Sequence, residues 1–333
     1  MEKTAYQAEI LFNRLKKRYR HLKKWAKRIG TDAFRLYDRD IPEIPLVIDI
    51  YKDAVVGAFF ENREEDVEDT RKEWLDCMKS AVSQAVSVQD ERIFLKIRKP
   101  QRGNNQYEKI AHRNFFVDVH EGDLVFRVNL SDYLDTGLFL DRRSLRRLIC
   151  AEAAGKRLLN LFCYTGGFSI HAANGGAAGV DSVDMSNTYL DWAKVNFSLN
   201  HFTAEMASQE AVFFKNAPRF RLIRADVLRF LDAAAKARCT WDVIVIDPPA
   251  FSNSKRMFST LDIRRDYKSL ISKCLPLLEK RGRIFFSSSV KRIKADFSTL
   301  DSAFKTQNIT EKLRDEDFHS KRIPECWEII SVH

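Results

Sequence analysis

The spacing of apolar residues changes character three times along the chain. Near the N-terminus, Ile10, Leu11, Leu15, Tyr19, Leu22, Trp25, Ala26 and Ile29 recur in steps of three and four. That period predicts one amphipathic helix, and Gly30 suits the position just past its end. From residue 34 to residue 60 the pattern shortens. The runs A-F-R-L-Y-D, P-L-V-I-D-I-Y and A-V-V-G-A-F-F read as three strands. Helical spacing returns over 64–88, with Val67, Trp74, Leu75, Met78, Val82 and Val86 on one side. Strands follow at Ile93–Ile97, Phe115–Val119 and Leu124–Val128, with a polar loop, K-P-Q-R-G-N-N-Q-Y-E-K, after the first. Together they predict an α+β domain over residues 1–130.

The remainder, 131–333, alternates regularly. Strands read at 157–162, 178–184, 220–224, 241–246 and 283–288, with helices at 167–174, 188–200, 227–237 and 263–280 between them. Such alternation implies βαβ crossovers and a parallel sheet covered on both faces. Strands as continuously apolar as W-D-V-I-V-I agree with burial on both sides. The expected fold class is α/β, preceded by a smaller α+β domain.

Composition removes several alternatives. The apolar fraction of 45% and 24 Phe supply a core, so disorder is excluded. No apolar run approaches the ~18 residues of a membrane span, and M-E-K-T-A-Y-Q-A-E-I lacks a signal-peptide core. The six Cys are scattered without a C-x-x-C pair, which predicts neither disulfides nor a zinc site. A cytoplasmic, reducing location is expected. Charge adds something the pattern does not show. Residues 1–30 hold ten Lys/Arg against two Glu, a net of +8 out of +10 for the chain. Nine of those cations lie between Arg14 and Arg28, with no acid four residues away. A concentrated basic block predicts phosphate contact; the alternative is a solvated helix face.

Candidate chemistry sits where strands end, because ligands of parallel α/β sheets bind at the carboxyl ends of strands. The first strand runs into N-L-F-C-Y-T-G-G, where Gly166 and Gly167 permit close backbone approach. A G-x-G-x-x-G fingerprint is absent there, which argues against a dinucleotide. The second strand ends in V-D-M-S, and Asp184 would accept ribose hydroxyls or else cap the next helix. The third ends in R-A-D-V, where Asp226 would accept from an adenine amino group and Val227 would cover the ring. The fourth ends in I-D-P-P-A-F-S-N-S-K-R-M, in which two prolines set a rigid turn after Asp247.

These strings together resemble the class I S-adenosylmethionine-dependent methyltransferases, with their Rossmann-like seven-stranded sheet. More closely, the chain resembles the bacterial 23S rRNA guanine-N7 methyltransferases, which in many bacteria form the C-terminal half of a fused RlmKL protein. The likeness extends to R-L-Y-D-R-D-I-P-E, Q-Y-E-K, D-Y-L-D-T-G-L-F-L-D-R-R and C-W-E-I-I, and so covers nearly the whole chain. The other half of the fused protein, which methylates a guanine amino group, has no counterpart here.

The resemblance implies S-adenosylmethionine as cofactor, no metal, and large-subunit rRNA or a pre-ribosomal particle as partner. It implies a cofactor site of Asn160, Phe162, Tyr164, Thr165, Gly166, Gly167, Asp184, Met185, Ser186, Asp226, Val227, Asp247 and Pro248. Phe139, Asp141 and Arg142 would close that pocket, or form a domain-linking hairpin with an Asp–Arg pair. Asp247 would hold the target base, Phe251 stack on it and Asn253 bond its edge. Lys255 and Arg256 would bind phosphate, and His171 is read as structural. The rival activity, cytosine-C5 methylation, needs a Cys nucleophile near the fourth or fifth strand end. Here those ends read D-P-P-A-F and F-F-S-S-S-V, and Cys274 lies in a helix. A non-catalytic RNA-binding assembly factor is the other alternative, and the intact acids Asp184, Asp226 and Asp247 oppose it.

Overall fold

The computed structural model describes residues 2–60, 68–98, 111–208, 218–252, 261–290, 293, 295–298, 300, 302–319, 321 and 323–332. They divide into two units. The first comprises Met1–Leu140 with Glu316–Lys321, and the second Asp141–Asp315 with Arg322–His333.

The first unit begins with α1 (Glu2–Arg28) and continues through β1 (Ala33–Asp38), β2 (Leu46–Tyr51), β3 (Ala54–Phe60), α2 (Glu68–Val86), β4 (Ile93–Arg98), β5 (Phe116–Glu121) and β6 (Leu124–Asn129). Strands β1 to β3 form an antiparallel meander, and β4 returns parallel to β3 after α2. Strands β5 and β6 form a separate hairpin. The stripe read in α1 is the stripe it buries. Leu11, Leu15, Leu22, Trp25 and Ala26 share one core with Leu36, Ile48 and Val55 of the sheet and Met78 and Val82 of α2. Gly30 takes the expected left-handed conformation, at φ +72°.

The sequence placed the boundary near 130, whereas the first unit runs to Leu140. Polar bonds hold the extra segment. The buried Asp132 carboxylate accepts from the backbone N–H groups of Arg113 and Asn114 and from the side chains of Ser131 and Asn129. The Lys96 ammonium donates to the Tyr133 carbonyl, and Tyr51 and Thr136 share a hydroxyl bond of 2.8 Å. Contacts of this kind leave no hydrophobic period to read.

The second unit opens with α3 (Arg143–Glu152) and alternates β7 (Arg157–Leu161), α4 (Gly167–Asn174), β8 (Gly179–Asp184), α5 (Asn187–Leu199), β9 (Glu205–Ala207), β10 (Phe220–Arg224), α6 (Val227–Lys236) and β11 (Trp241–Ile246). A two-residue ladder of β12 (Phe251–Ser252) and β13 (Leu261–Asp262) precedes α7 (Ile263–Cys274), β14 (Leu278–Ser288), β15 (Phe304–Asn308) and β16 (Glu325–Ser331). The sheet order is β15-β16-β14-β11-β7-β8-β10-β9, with only β16 antiparallel to its neighbours. The eighth strand, β9, is a three-residue addition at one edge of the expected seven. From β7 the chain first moves outward through β8 and β10, then returns to place β11 on the other side of β7. That reversal is the topological switch point, where such sheets bind their ligands.

Two expectations need correction. The last helix does not reach residue 280. It ends at Cys274, and a 3-10 turn over Leu275–Leu277 contains Pro276, which cannot continue an α-helix. The hydrophobic pattern also left α3, β15 and β16 unread. Helix α3 buries Arg143 and Arg146, and β15 is mostly exposed, so neither shows a simple apolar period.

Candidate active site

The turn after β7 is built from backbone that side chains rarely adopt. Phe162 and Tyr164 have φ of 58° and 51°, and Gly166 follows at 83°. Left-handed residues other than glycine cost energy and persist only where surroundings hold them. Here the Cys163 N–H donates to the Val183 carbonyl at 3.0 Å, and the Gly166 N–H to the Cys163 carbonyl at 2.9 Å. The Asn196 amide holds the buried Thr165 through its carbonyl at 3.0 Å. Close packing explains both glycines. A Cβ on Gly166 would meet that of Ala193 at 3.1 Å, and one on Gly167 would lie 3.3 Å from the Arg146 stem. Beneath the turn, the Asn160 amide donates to Ser169, which bonds Ser182 at 2.7 Å. Asn160 is fully buried, so it supports the turn from below. His171 is buried too, its Nδ1 at 2.9 Å from the Gly167 carbonyl, in keeping with a structural part.

Asp184 at the end of β8 ties this turn to the next. Its carboxylate accepts from the Tyr164 N–H at 3.0 Å and the Ser186 N–H at 2.9 Å. It does not cap α5; Ser186 is the N-cap, accepting from Tyr189. Burial pushes Asp184 up to about 6, against the pull of the N–H groups of Ser186, Tyr164 and Met185. Tyr189 meets Tyr164 edge-on, with ring centroids 4.5 Å apart. At the end of β10, Asp226 caps α6 by accepting from the Arg229 N–H, and Val227 is buried behind it.

Asp247, at the end of β11, has a different neighbourhood. The Arg142 guanidinium donates to both its oxygens, at 3.1 and 3.0 Å, and to the Ser289 hydroxyl at 2.7 Å. Its third nitrogen pairs with Asp141 at 2.9 Å. Burial works against the Arg142 charge, yet Asp141 and Asp247 hold it well above its ordinary value. The Asp–Arg pair expected within 141–142 exists, and it extends to Asp247 and the end of β14. Arg142 is therefore a tie between strand ends. Pro248 is buried beside them.

The remaining expectations divide by position. Phe139 is an exposed residue of the first unit. Phe251 lies on β12, paired through its backbone with Asp262. Asn253, Lys255, Arg256 and the loop 99–109 lie outside the described residues. The sequence marks Ser289 only as the end of a serine run lacking a thiol, and no local signal marks Arg146 or Tyr189 as site neighbours. Among the described residues, no group of three or more His, Cys, Asp or Glu converges to hold a metal ion, and no helix is long and apolar enough to cross a membrane.

Residues 38–316 match the family model described as S-adenosylmethionine-dependent methyltransferase. The chain is 42% identical over 321 residues to the ribosomal RNA large subunit methyltransferase K of Neisseria meningitidis, covering 95% of this chain and 86% of that protein. It is also 42% identical to the ribosomal RNA large subunit methyltransferase K/L of Stutzerimonas stutzeri, over 96% of this chain but only 42% of that protein. The chain thus spans less than half the length of that K/L relative. A solved structure from Streptococcus mutans, described as an S-adenosylmethionine-dependent methyltransferase, shares the fold with a TM-score of 0.72 at 24% identity. It covers 97% of this chain and 81% of that one.

Proposed function

This chain belongs to the S-adenosylmethionine-dependent methyltransferase family, and from that premise we propose that it methylates N7 of a guanine in large-subunit ribosomal RNA. The residues present suit the cofactor. Carboxylates stand at the ends of β8 and β10, the adjacent strands where a nucleoside would present hydroxyl and amino donors. The left-handed turn after β7 brings backbone close beside them. Asp184, Met185 and Ser186 would hold the ribose side, Asp226 and Val227 the adenine, and Phe162, Tyr164, Thr165, Gly166 and Gly167 the remainder. When bound, S-adenosylmethionine supplies an electrophilic methyl group on a sulfonium sulfur.

One observation carries the choice of acceptor, namely the chemistry at the ends of β11 and β14. Those ends offer Asp247 locked on Arg142 and the hydroxyls of Ser287, Ser288 and Ser289. The thiol that borders this cluster, Cys326, is buried against Ser287 and not open to a pyrimidine ring. Cys274 and Cys326 are buried, and burial pushes the Cys326 thiol up to about 12. Cys163, within the cofactor turn, is raised well above its ordinary value by burial and by Asp184. Thiols kept neutral are poor nucleophiles. Guanine N7 needs none: its lone pair forms the new N–CH3 bond as the S–CH3 bond breaks, and no proton leaves. Both Asp247 oxygens are engaged by the Arg142 guanidinium, and this reaction asks no proton transfer of them. The cluster of two carboxylates on one guanidinium suits a base that gains positive charge. The large-subunit RNA is inferred from the relatives' names and the K-type match over nearly the whole chain.

The test is mass spectrometry of nucleosides from 23S rRNA incubated with the purified protein and S-adenosylmethionine carrying a deuterated methyl. Labelled 7-methylguanosine is expected. Labelled 5-methylcytidine or N2-methylguanosine in its place would refute the assignment.

A further inference from the structure

We infer that one face of α1 is a phosphate-binding rail for the RNA substrate, formed by cations that have no acid partner among the described residues. The inference rests on the ribosomal RNA reading above. Sequence alone counted nine equivalent cations between Arg14 and Arg28. The structure separates them into two sets. Arg14 pairs with Asp40 at 2.8 Å, Arg18 donates to the Leu36 carbonyl at 2.7 Å beside the same Asp40, and Arg28 pairs with Glu316 at 3.3 Å. Those three serve the first unit's own structure. Lys16, Arg20, Lys23 and Lys27 recur at steps of four, three and four, are exposed, and have no acid partner among the described residues. At 1.5 Å per residue they form one row about 16 Å long. Lys17 and Lys24 flank it. Two of the row's ammonium groups lie over rings of the same helix: Lys16 is 5.3 Å from the Phe12 centroid and Lys23 is 5.4 Å from that of Tyr19.

Charge complementarity identifies the occupant. A row of like charges with no compensating acid is self-repulsive, and a polyphosphate backbone relieves that repulsion while releasing counterions. A basic amphipathic helix would also suit an anionic membrane, but membrane helices insert their apolar side. Here that side is unavailable, because Leu11 and Leu15 are fully buried and Leu22 and Trp25 nearly so, within the first unit's core.

The experiment measures binding of a fluorescent 23S rRNA transcript to the full chain across salt concentrations. It compares a Lys16→Gln, Arg20→Gln, Lys23→Gln, Lys27→Gln variant with a control of equal charge change, Lys194→Gln, Lys236→Gln, Lys280→Gln, Lys305→Gln. Glutamine keeps helix propensity. At about 0.7–0.9 per lost contact, the rail variant should flatten the slope of log affinity against log salt by roughly three. Its four single substitutions should each remove one such step, so the result does not depend on one multiple variant folding. The dispersed control should keep the wild-type slope. An unchanged slope in the rail variant, or an equal loss in the control, overturns the proposal. So does a rail variant that loses phosphatidylserine vesicles but keeps RNA. Methyl transfer by the wild type is scored separately. A wild type that modifies the transcript while the rail variant keeps its slope sinks the rail alone, and one that binds without modifying it sinks only the activity.

Discussion

Two acids at strand ends on either side of β7 show two ways of making a site. Asp184 is held by backbone. Its partners are N–H groups two residues ahead and twenty behind, at 2.9 and 3.0 Å, in turns that β7 and β8 set side by side. Asp247 is held by a side chain. Its partner Arg142 lies 105 residues earlier in the chain and also reaches Ser289, 147 residues from itself. Backbone bonds survive most substitutions, whereas a buried guanidinium has no substitute. The first arrangement should therefore fail gradually when altered and the second abruptly.

The largest effect should come from Arg142→Met. It would leave Asp141 and Asp247 without their cation in a site where the Asp247 side chain is only 11% exposed. Breaking such a pair costs about 3–5 kcal/mol, which urea denaturation would register, and methyl transfer should fall below detection. Arg142→Lys sharpens the point, since it keeps the charge but loses the two-pronged geometry. It should fold and bind S-adenosylhomocysteine normally, yet turn over more slowly. Normal turnover by the lysine variant would show that the charge alone matters.

Asp184→Asn should weaken S-adenosylhomocysteine about ten- to a hundredfold by calorimetry, as expected when charge-assisted bonds are lost. The acidity of Asp184 gives a sharper test. Its folded value, about 6, stands above its ordinary 3.8. A raised carboxyl favours the folded state fully below the lower value and loses that contribution as pH climbs through the upper one. Cofactor hydroxyls need the ionised form, so affinity should run the other way and rise through the same window. Both trends should vanish in Asp184→Asn. A pH-dependent affinity that persists in the variant would assign the titration to another group.

A smaller loss is expected for Gly166→Ala. Its φ of +83° and the Ala193 Cβ at 3.1 Å make a side chain strained there. Roughly 1–2 kcal/mol of stability should go, visible as a lower Tm, because left-handed backbone is disfavoured by about that much outside glycine. The smallest effect on catalysis should follow single Cys→Ala changes at all six positions. Buried Cys163, Cys274 and Cys326 would cost some stability, but turnover should hold. One essential Cys, trapped on RNA by a fluorinated pyrimidine, would overturn the guanine-N7 assignment.

Much of this was legible in one dimension, and the reason differs by element. The α1 stripe, the first three strands and the βαβ alternation show themselves because burial of one face or two imposes a period on the residues. Strand-end acids are legible because a parallel sheet gathers its carboxyl ends on one edge, so Asp184, Asp226 and Asp247 had to share that edge once the strands were placed. Pro276 is the local signal that ends the last helix, because proline cannot continue it.

What the sequence determined by itself was therefore the periodic part: two α+β and α/β regions, the strand-end acids, and the concentration of positive charge in the first thirty residues. The tertiary structure alone decided which charges were already engaged. It matched Arg142 to Asp247 and Ser289, gave Asp226 and Ser186 the capping positions, and split the α1 cations into a structural set and a row without acid partners among the described residues. Ion pairs and hydrogen bonds between distant residues depend on where side-chain tips meet in space, and that coincidence imposes no spacing on the chain.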